Sequence, residues 1–170
     1  MDHAVPETFR LTGSETLSVT ADTPELLEVE ATWEAGAKPP PPHLHPSQDE
    51  RFAIHEGELT VELDGRTRTV RAGETLEIPR GTPHRMWNAG ATAARATWQT
   101  TPALRTAEFW RAMDAARRTR PTNADGVLTA VAAAPILQRH RAEFQLAVPA
   151  PLERTALAVL SAAARVKGYK

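Results

Sequence analysis

Two histidines one residue apart, His43 and His45, follow an unbroken run of four prolines, Pro39 to Pro42. Proline fixes φ and cannot sit in a helix interior, so the run predicts a stiff, extended approach. In an extended strand, positions i and i+2 point to one face, which lets both imidazoles converge on one ion. Glu50 comes after a short turn and offers a hard carboxylate oxygen beside the two nitrogens. Three ligands leave such a site incomplete. A fourth candidate is His84, placed just past the Gly81-Thr82-Pro83 turn at the start of a strand.

The elements that must hold these residues read as strands through the first hundred positions. Leu27, Val29, Ala31 and Trp33 alternate with Glu28, Glu30, Thr32 and Glu34, the period of two expected of a half-buried strand. Short β-prone runs at 8–12, 15–20, 51–56, 59–63, 66–71, 75–78, 84–88 and 93–100 are separated by Gly, Pro or Asp turns. Asp64-Gly65 between two of them is a two-residue hairpin signal, since both turn positions need positive φ. Many short strands with such turns predict an all-β sandwich or barrel. After Pro102 the composition shifts to Ala, Arg and Leu. Helices are expected over 103–118, over 127–146 with a kink or restart at Pro135, and from Pro151 to Gly168. The chain therefore divides into a β domain at 1–102 and a helical extension at 103–170.

Bulk composition narrows the partners. The chain has 170 residues, 41% hydrophobic and 24% charged, with a formal net charge of -1. No global field favours nucleic acid or a membrane surface. The absence of cysteine excludes disulfides, thiolate metal sites and cysteine nucleophiles together. Met1 to Glu7 shows neither a basic n-region nor an apolar h-region, and no apolar run reaches membrane-spanning length, so a cytoplasmic protein is expected. Charge is uneven: residues 1–102 carry 9 Lys+Arg against 16 Asp+Glu, and residues 103–170 carry 11 against 5. The basic residues of the tail are interleaved with apolar periodicity, which favours docking on an acidic body over a nucleic-acid tail. Three amphipathic helices cannot stay exposed, so the tail should pack on the barrel or across a homodimer.

The two candidate ligand stretches carry fixed spacings. The first reads His43-x-His45-x4-Glu50-x6-Gly57, and the second reads Gly73-x5-Pro79-x-Gly81-x2-His84-x3-Asn88. Together they resemble the two signature motifs of the cupin superfamily. The second motif matches at each fixed position. The first departs only at its leading glycine, because Gly36 precedes His43 with one extra residue in the loop. The resemblance implies a double-stranded β-helix, a jelly-roll barrel, across roughly residues 8–101. The helical tail lies outside the general cupin pattern.

By that resemblance, His43, His45, Glu50 and His84 would bind one divalent metal inside the barrel. Three neutral imidazoles and a carboxylate suit Fe, Mn, Ni, Cu or Zn, and donor type does not choose among them. An octahedral ion would keep two positions for water, oxygen or a bidentate substrate. Glu50 could also detach and act as a catalytic base. The expected activity is a metal-dependent enzyme acting on a small oxygenated or aromatic molecule, dioxygenase-like or isomerase-like. The alternative is a non-catalytic cupin that binds or senses a small molecule. Phe52 and Ile54 share the face of Glu50 by period two, and Met86 that of His84, so these are pocket-wall candidates that serve equally as barrel core. Trp98 could face either way, and Gln48 could bond a ligand or cap its loop. His3, His55 and His140 read as ordinary histidines, with His55 out of phase with Glu50 and pointing away from the centre.

Overall fold

The computed structural model describes residues 7–169. Ten strands come first: β1 (Thr8–Arg10), β2 (Glu15–Asp22), β3 (Leu27–Trp33), β4 (His43–Leu44), β5 (Asp49–Glu56), β6 (Glu58–Leu63), β7 (Arg66–Arg71), β8 (Thr75–Ile78), β9 (His84–Trp87) and β10 (Ala94–Thr101). The tail then supplies α1 (Thr106–Thr119), α2 (Ala130–Arg139), the short β11 (Gln145–Leu146) and α3 (Ala150–Val166). The strands form two sheets, ordered β1-β2-β3-β10-β5-β8 and β11-β4-β9-β6-β7, and their pairings are antiparallel.

The alternation read in 27–34 holds residue by residue, with Leu27, Val29, Ala31 and Trp33 buried and their neighbours half-exposed. Leu17, Phe52 and Ile54 extend this apolar face, and Leu59 and Val61 of the second sheet belong to the same core. Between β6 and β7 the turn residues Asp64 and Gly65 take φ of 46° and 76°, the hairpin conformation that their types favour. Gly57 joins β5 to β6 with φ 69°, and a Cβ there would lie 2.5 Å from the Ala93 carbonyl oxygen.

The tail differs from expectation in two places. The first helix begins at Thr106 rather than 103, because Leu104 sits in the left-handed region with φ 49°. The second is much shorter than 127–146. It covers Ala130–Arg139 with Pro135 inside it, and the chain then turns and adds β11 to the edge of the second sheet. Gln145 and Leu146 pair with Leu44 and His43, which satisfies backbone groups that a continued helix would have kept for itself. The buried Glu153 carboxylate of α3 holds this segment, accepting from Leu146 N at 2.9 Å and from Arg141 Nη2 at 2.6 Å.

The helices pack on the barrel. Trp110 of α1 lies between Phe9 and Trp98, at ring distances of 6.2 and 4.9 Å. A basic tail residue meets the acidic body where Arg111 is bidentate on Glu7, and one pair runs the other way, Lys38 of the barrel with Asp125 of the tail. Gln48 is central to this docking. Its Nε2 donates to Pro102 O, Ala103 O and Thr106 Oγ1 at 2.8, 3.0 and 2.8 Å, and the residue is fully buried. The side chain considered as a ligand contact therefore ties the loop after β4 to the start of α1.

Gly57→Ala should lower unfolding stability by about 1–3 kcal/mol, since a side chain must occupy positive φ against a fixed carbonyl. Urea unfolding followed by circular dichroism would measure it, and an unchanged midpoint would contradict this account.

Candidate metal centre

The second sheet brings the histidines together through one register. His43 pairs with His84 across β4 and β9, and His84 pairs with Leu63 of β6. His45 lies one residue past β4, on the face shared with His43. One ring nitrogen from each of His43, His45 and His84 lies within 4.8 Å of the others. Ring centroids are 4.4 Å apart for His43 and His84, and 5.3 Å for each pair with His45.

Each ring is oriented by a main-chain carbonyl. Nδ1 of His43 bonds Pro41 O at 3.1 Å, Nδ1 of His84 bonds Thr82 O at 2.9 Å, and Nδ1 of His45 bonds Glu143 O at 2.6 Å. A carbonyl only accepts, so each Nδ1 carries the hydrogen and each neutral ring turns an Nε2 lone pair elsewhere. The prolines thus do more than stiffen the approach, because the carbonyl of Pro41 sets the tautomer of His43.

Glu50 completes the cluster from the first sheet. Its Oε1 lies 3.2 Å from His45 Nε2 and its Oε2 lies 3.1 Å from His84 Nε2. The Trp98 indole donates to Oε1 at 3.0 Å, which settles the direction of that side chain as inward. Glu50 is 3% exposed, yet His45 Nε2 and Glu50 Oε2 lack a hydrogen bond of good geometry. Unpartnered lone pairs facing one another in a buried place call for positive charge. Burial alone would raise the Glu50 carboxyl, but His45 and His84 outweigh it and bring it down to about 2. Burial, with His84 and His45 adding to it, takes His43 down to about 3. His84 moves the other way: burial opposes its charge, and Glu50 overrides that and raises it. A divalent ion fits this donor set of three imidazole nitrogens and one carboxylate.

The remaining candidates are placed as follows. Phe52 and Ile54 are buried on the face of Glu50, and Met86 is half-buried against the core. Phe52 and Trp98 rings are 5.1 Å apart. His55 is exposed and bonds Thr97 Oγ1, pointing away from the cluster as its phase required. His140 is buried against Phe109, apart from the three-histidine group. His3 lies outside the described residues. Asn88, the last motif position, is structural: its amide donates to Trp33 O and Thr92 O and accepts from Gly90 N.

Two residues at the site escaped the sequence reading. Glu143 and Phe144 arrive from the tail, and Phe144 stacks on His43 at 4.7 Å and 21°. Glu15 of the first sheet was missed as well. It pairs with Trp33 across β2 and β3, and its Oε1 accepts from Trp33 Nε1 at 3.1 Å. Burial raises this carboxyl to about 7, the Trp33 bond opposes, and the charge of Glu50 adds to the rise. Its period-two phase with Leu17 and Val19 was a usable signal.

Residues 29–100 match the family model described as a cupin domain. Over 62 residues the chain is 44% identical to oxalate oxidase 1 of Hordeum vulgare, covering 32% of this chain and 31% of that protein. Over 54 residues it is 44% identical to oxidoreductase iacF of Pestalotiopsis fici, covering 31% of this chain and 26% of that protein. The chain thus spans less than a third of the length of these curated relatives. Among solved structures, KdgF from Halomonas sp. aligns with a TM-score of 0.54 at 22% identity, over 59% of this chain and 92% of that one, a likeness of fold.

Glu15 gives a signed pH dependence. A carboxyl raised from 4.5 to about 7 in the native state contributes stability below pH 4.5, and loses it as pH rises to about 7. The stability difference between metal-free wild type and Glu15→Gln should therefore shift by up to about 1.4 kcal/mol per pH unit in that window, with wild type gaining as pH falls. Partial exposure of Glu15 makes this slope an upper bound. Urea midpoints of both proteins from pH 4.5 to 7 would check it, and parallel curves would rule it out.

Proposed function

We propose that this chain, whose residues 29–100 belong to the cupin domain family, is a metal-dependent enzyme acting on a small oxygenated or aromatic molecule. His43, His45, Glu50 and His84 would hold one divalent transition metal. The reading rests on a single observation: three rings have their Nδ1 atoms committed to backbone carbonyls, and their free nitrogens crowd one buried carboxylate. A bound ion would supply Lewis-acid or redox chemistry at an oxygen of the substrate.

The chain's own residues supply the rest. Trp98 holds one oxygen of Glu50 and keeps the carboxylate turned toward the histidines. Phe52, Ile54 and Met86 would exclude water from the substrate's apolar part, since they share the inner faces that carry the ligands. Oxidoreductases among the relatives support a dioxygenase-like reaction. An isomerase-like proton transfer fits the same donor set, with Glu50 detaching to act as the base.

Metal analysis after reconstitution should find about one Fe, Mn, Ni, Cu or Zn per chain, with retention weakened roughly tenfold or more in His45→Ala. Oxygen uptake or substrate consumption should follow metal content and vanish in that variant. Ligand binding without consumption under each metal would assign the barrel to binding alone. Failure to retain any ion would remove the site assignment itself.

A further inference from the structure

A cleft of about 970 Å³ separates the β3–β4 loop from the helical tail. Its walls are mainly apolar, with Pro40, Met113, Leu128, Leu137, Phe144 and Leu160 representative of the lining. Packing defects in protein interiors rarely exceed a water molecule, whereas organic ligands occupy spaces of roughly 300–1,000 Å³. The tail builds much of this cleft, so it lies outside the barrel's own interior.

Two features connect the cleft with the three-histidine cluster. Phe144 lines the cleft and also stacks on His43 at 4.7 Å, so one ring divides the cleft from the cluster. Phe144 also follows Glu143, whose carbonyl orients His45, so any displacement of this segment is felt at the centre. Charge supplies a third constraint. Arg85 lines the cleft, spends Nη2 on Glu62 at 2.7 Å, lies over the Trp87 ring, and has no hydrogen-bond partner on Nε or Nη1 among the described residues. Lys38, the other lining cation, is already paired with Asp125.

We propose that this cleft binds the apolar body of a ring-containing organic monoanion, with Arg85 facing its negative group and Phe144 as the partition through which the reactive end reaches the histidines. The inference deepens the metal-enzyme reading and rests on it for the destination of that reactive end. The cleft itself stands on its own walls.

The test uses the full chain and 8-anilinonaphthalene-1-sulfonate, an apolar ring monoanion whose fluorescence reports burial. Saturable binding is expected, weakened roughly tenfold in Ala133→Phe and in Leu160→Trp, which fill the cleft from different helices. Metal content and circular dichroism identify variants that remain folded, and the two fillers back each other. Arg85→Met should weaken the probe several-fold while leaving the uncharged N-phenyl-1-naphthylamine unaffected. In protein loaded with paramagnetic Cu²⁺ rather than Zn²⁺, bound probe should be quenched, and more strongly in Phe144→Ala.

Undiminished probe affinity in both folded filler variants would overturn the cleft assignment. Equal affinity for charged and uncharged probes would overturn the anion. Probe affinity that falls as protein concentration rises would give the cleft to a second copy of the chain and overturn the proposal. Should the protein retain no metal, the enzyme reading fails, while the filler variants still decide whether the cleft is a ligand site.

Discussion

Three imidazole lone pairs and a carboxylate, held about 3–5 Å apart in a buried place, repel one another unless positive charge lies between them. The protein opposes that repulsion with geometry. Each Nδ1 is tethered to a carbonyl from a different stretch: Pro41 before β4, Thr82 before β9, and Glu143 in the tail. Rings fixed in this way cannot rotate to relieve the crowding, so the donors stay together in an arrangement that suits a cation. Without an ion, protons fill part of that role, which is why Glu50 raises His84 while burial and the neighbouring rings depress His43.

The barrel alone does not complete this arrangement. The strongest of the three tethers, by length, comes from residue 143, nearly a hundred positions away from His45 in the chain. That carbonyl is free to accept because the second helix stops at Arg139 and the backbone turns to run beside β4. Glu153 then secures the segment from α3, and Gln48 secures the start of α1 from the loop beside His45. Buried polar groups of this kind carry a cost when unpaired, so each fixes the tail in one position. The tail is therefore joined to the site by hydrogen bonds as well as by apolar packing.

This explains which parts were legible in the sequence. His43 and His45 could be read as a pair because strand periodicity acts locally, and the two spacings that resemble the cupin motifs added Glu50 and His84. The alternation of Leu27 to Trp33 and the Asp64-Gly65 hairpin were legible for the same reason. Glu143 and Phe144 were not, since a carbonyl contact leaves no trace in residue type and Phe144 continues an apolar helical pattern. The expected helix over 127–146 failed at this point: local propensity favoured helix, and an open strand edge at His43 and Leu44 offered better partners. Residue type left Gln48 open between a ligand contact and a loop cap, and only the fold shows its amide nitrogen bonded to the start of the tail.

Two carboxyls of the first sheet, Glu50 and Glu15, are driven apart by their surroundings. Glu50 is brought down to about 2, with one oxygen on Trp98 and both within reach of imidazole nitrogens. Held there, such a group is a weak base near neutral pH and a good anionic ligand. Glu15 has one oxygen on Trp33, no hydrogen-bond partner among the described residues for the other, and a carboxyl raised to about 7. One carboxyl of the barrel is thus held charged while another can gain a proton near neutral pH. The imidazoles beside Glu50 are what keep its buried carboxyl charged, as a ligand to a cation requires.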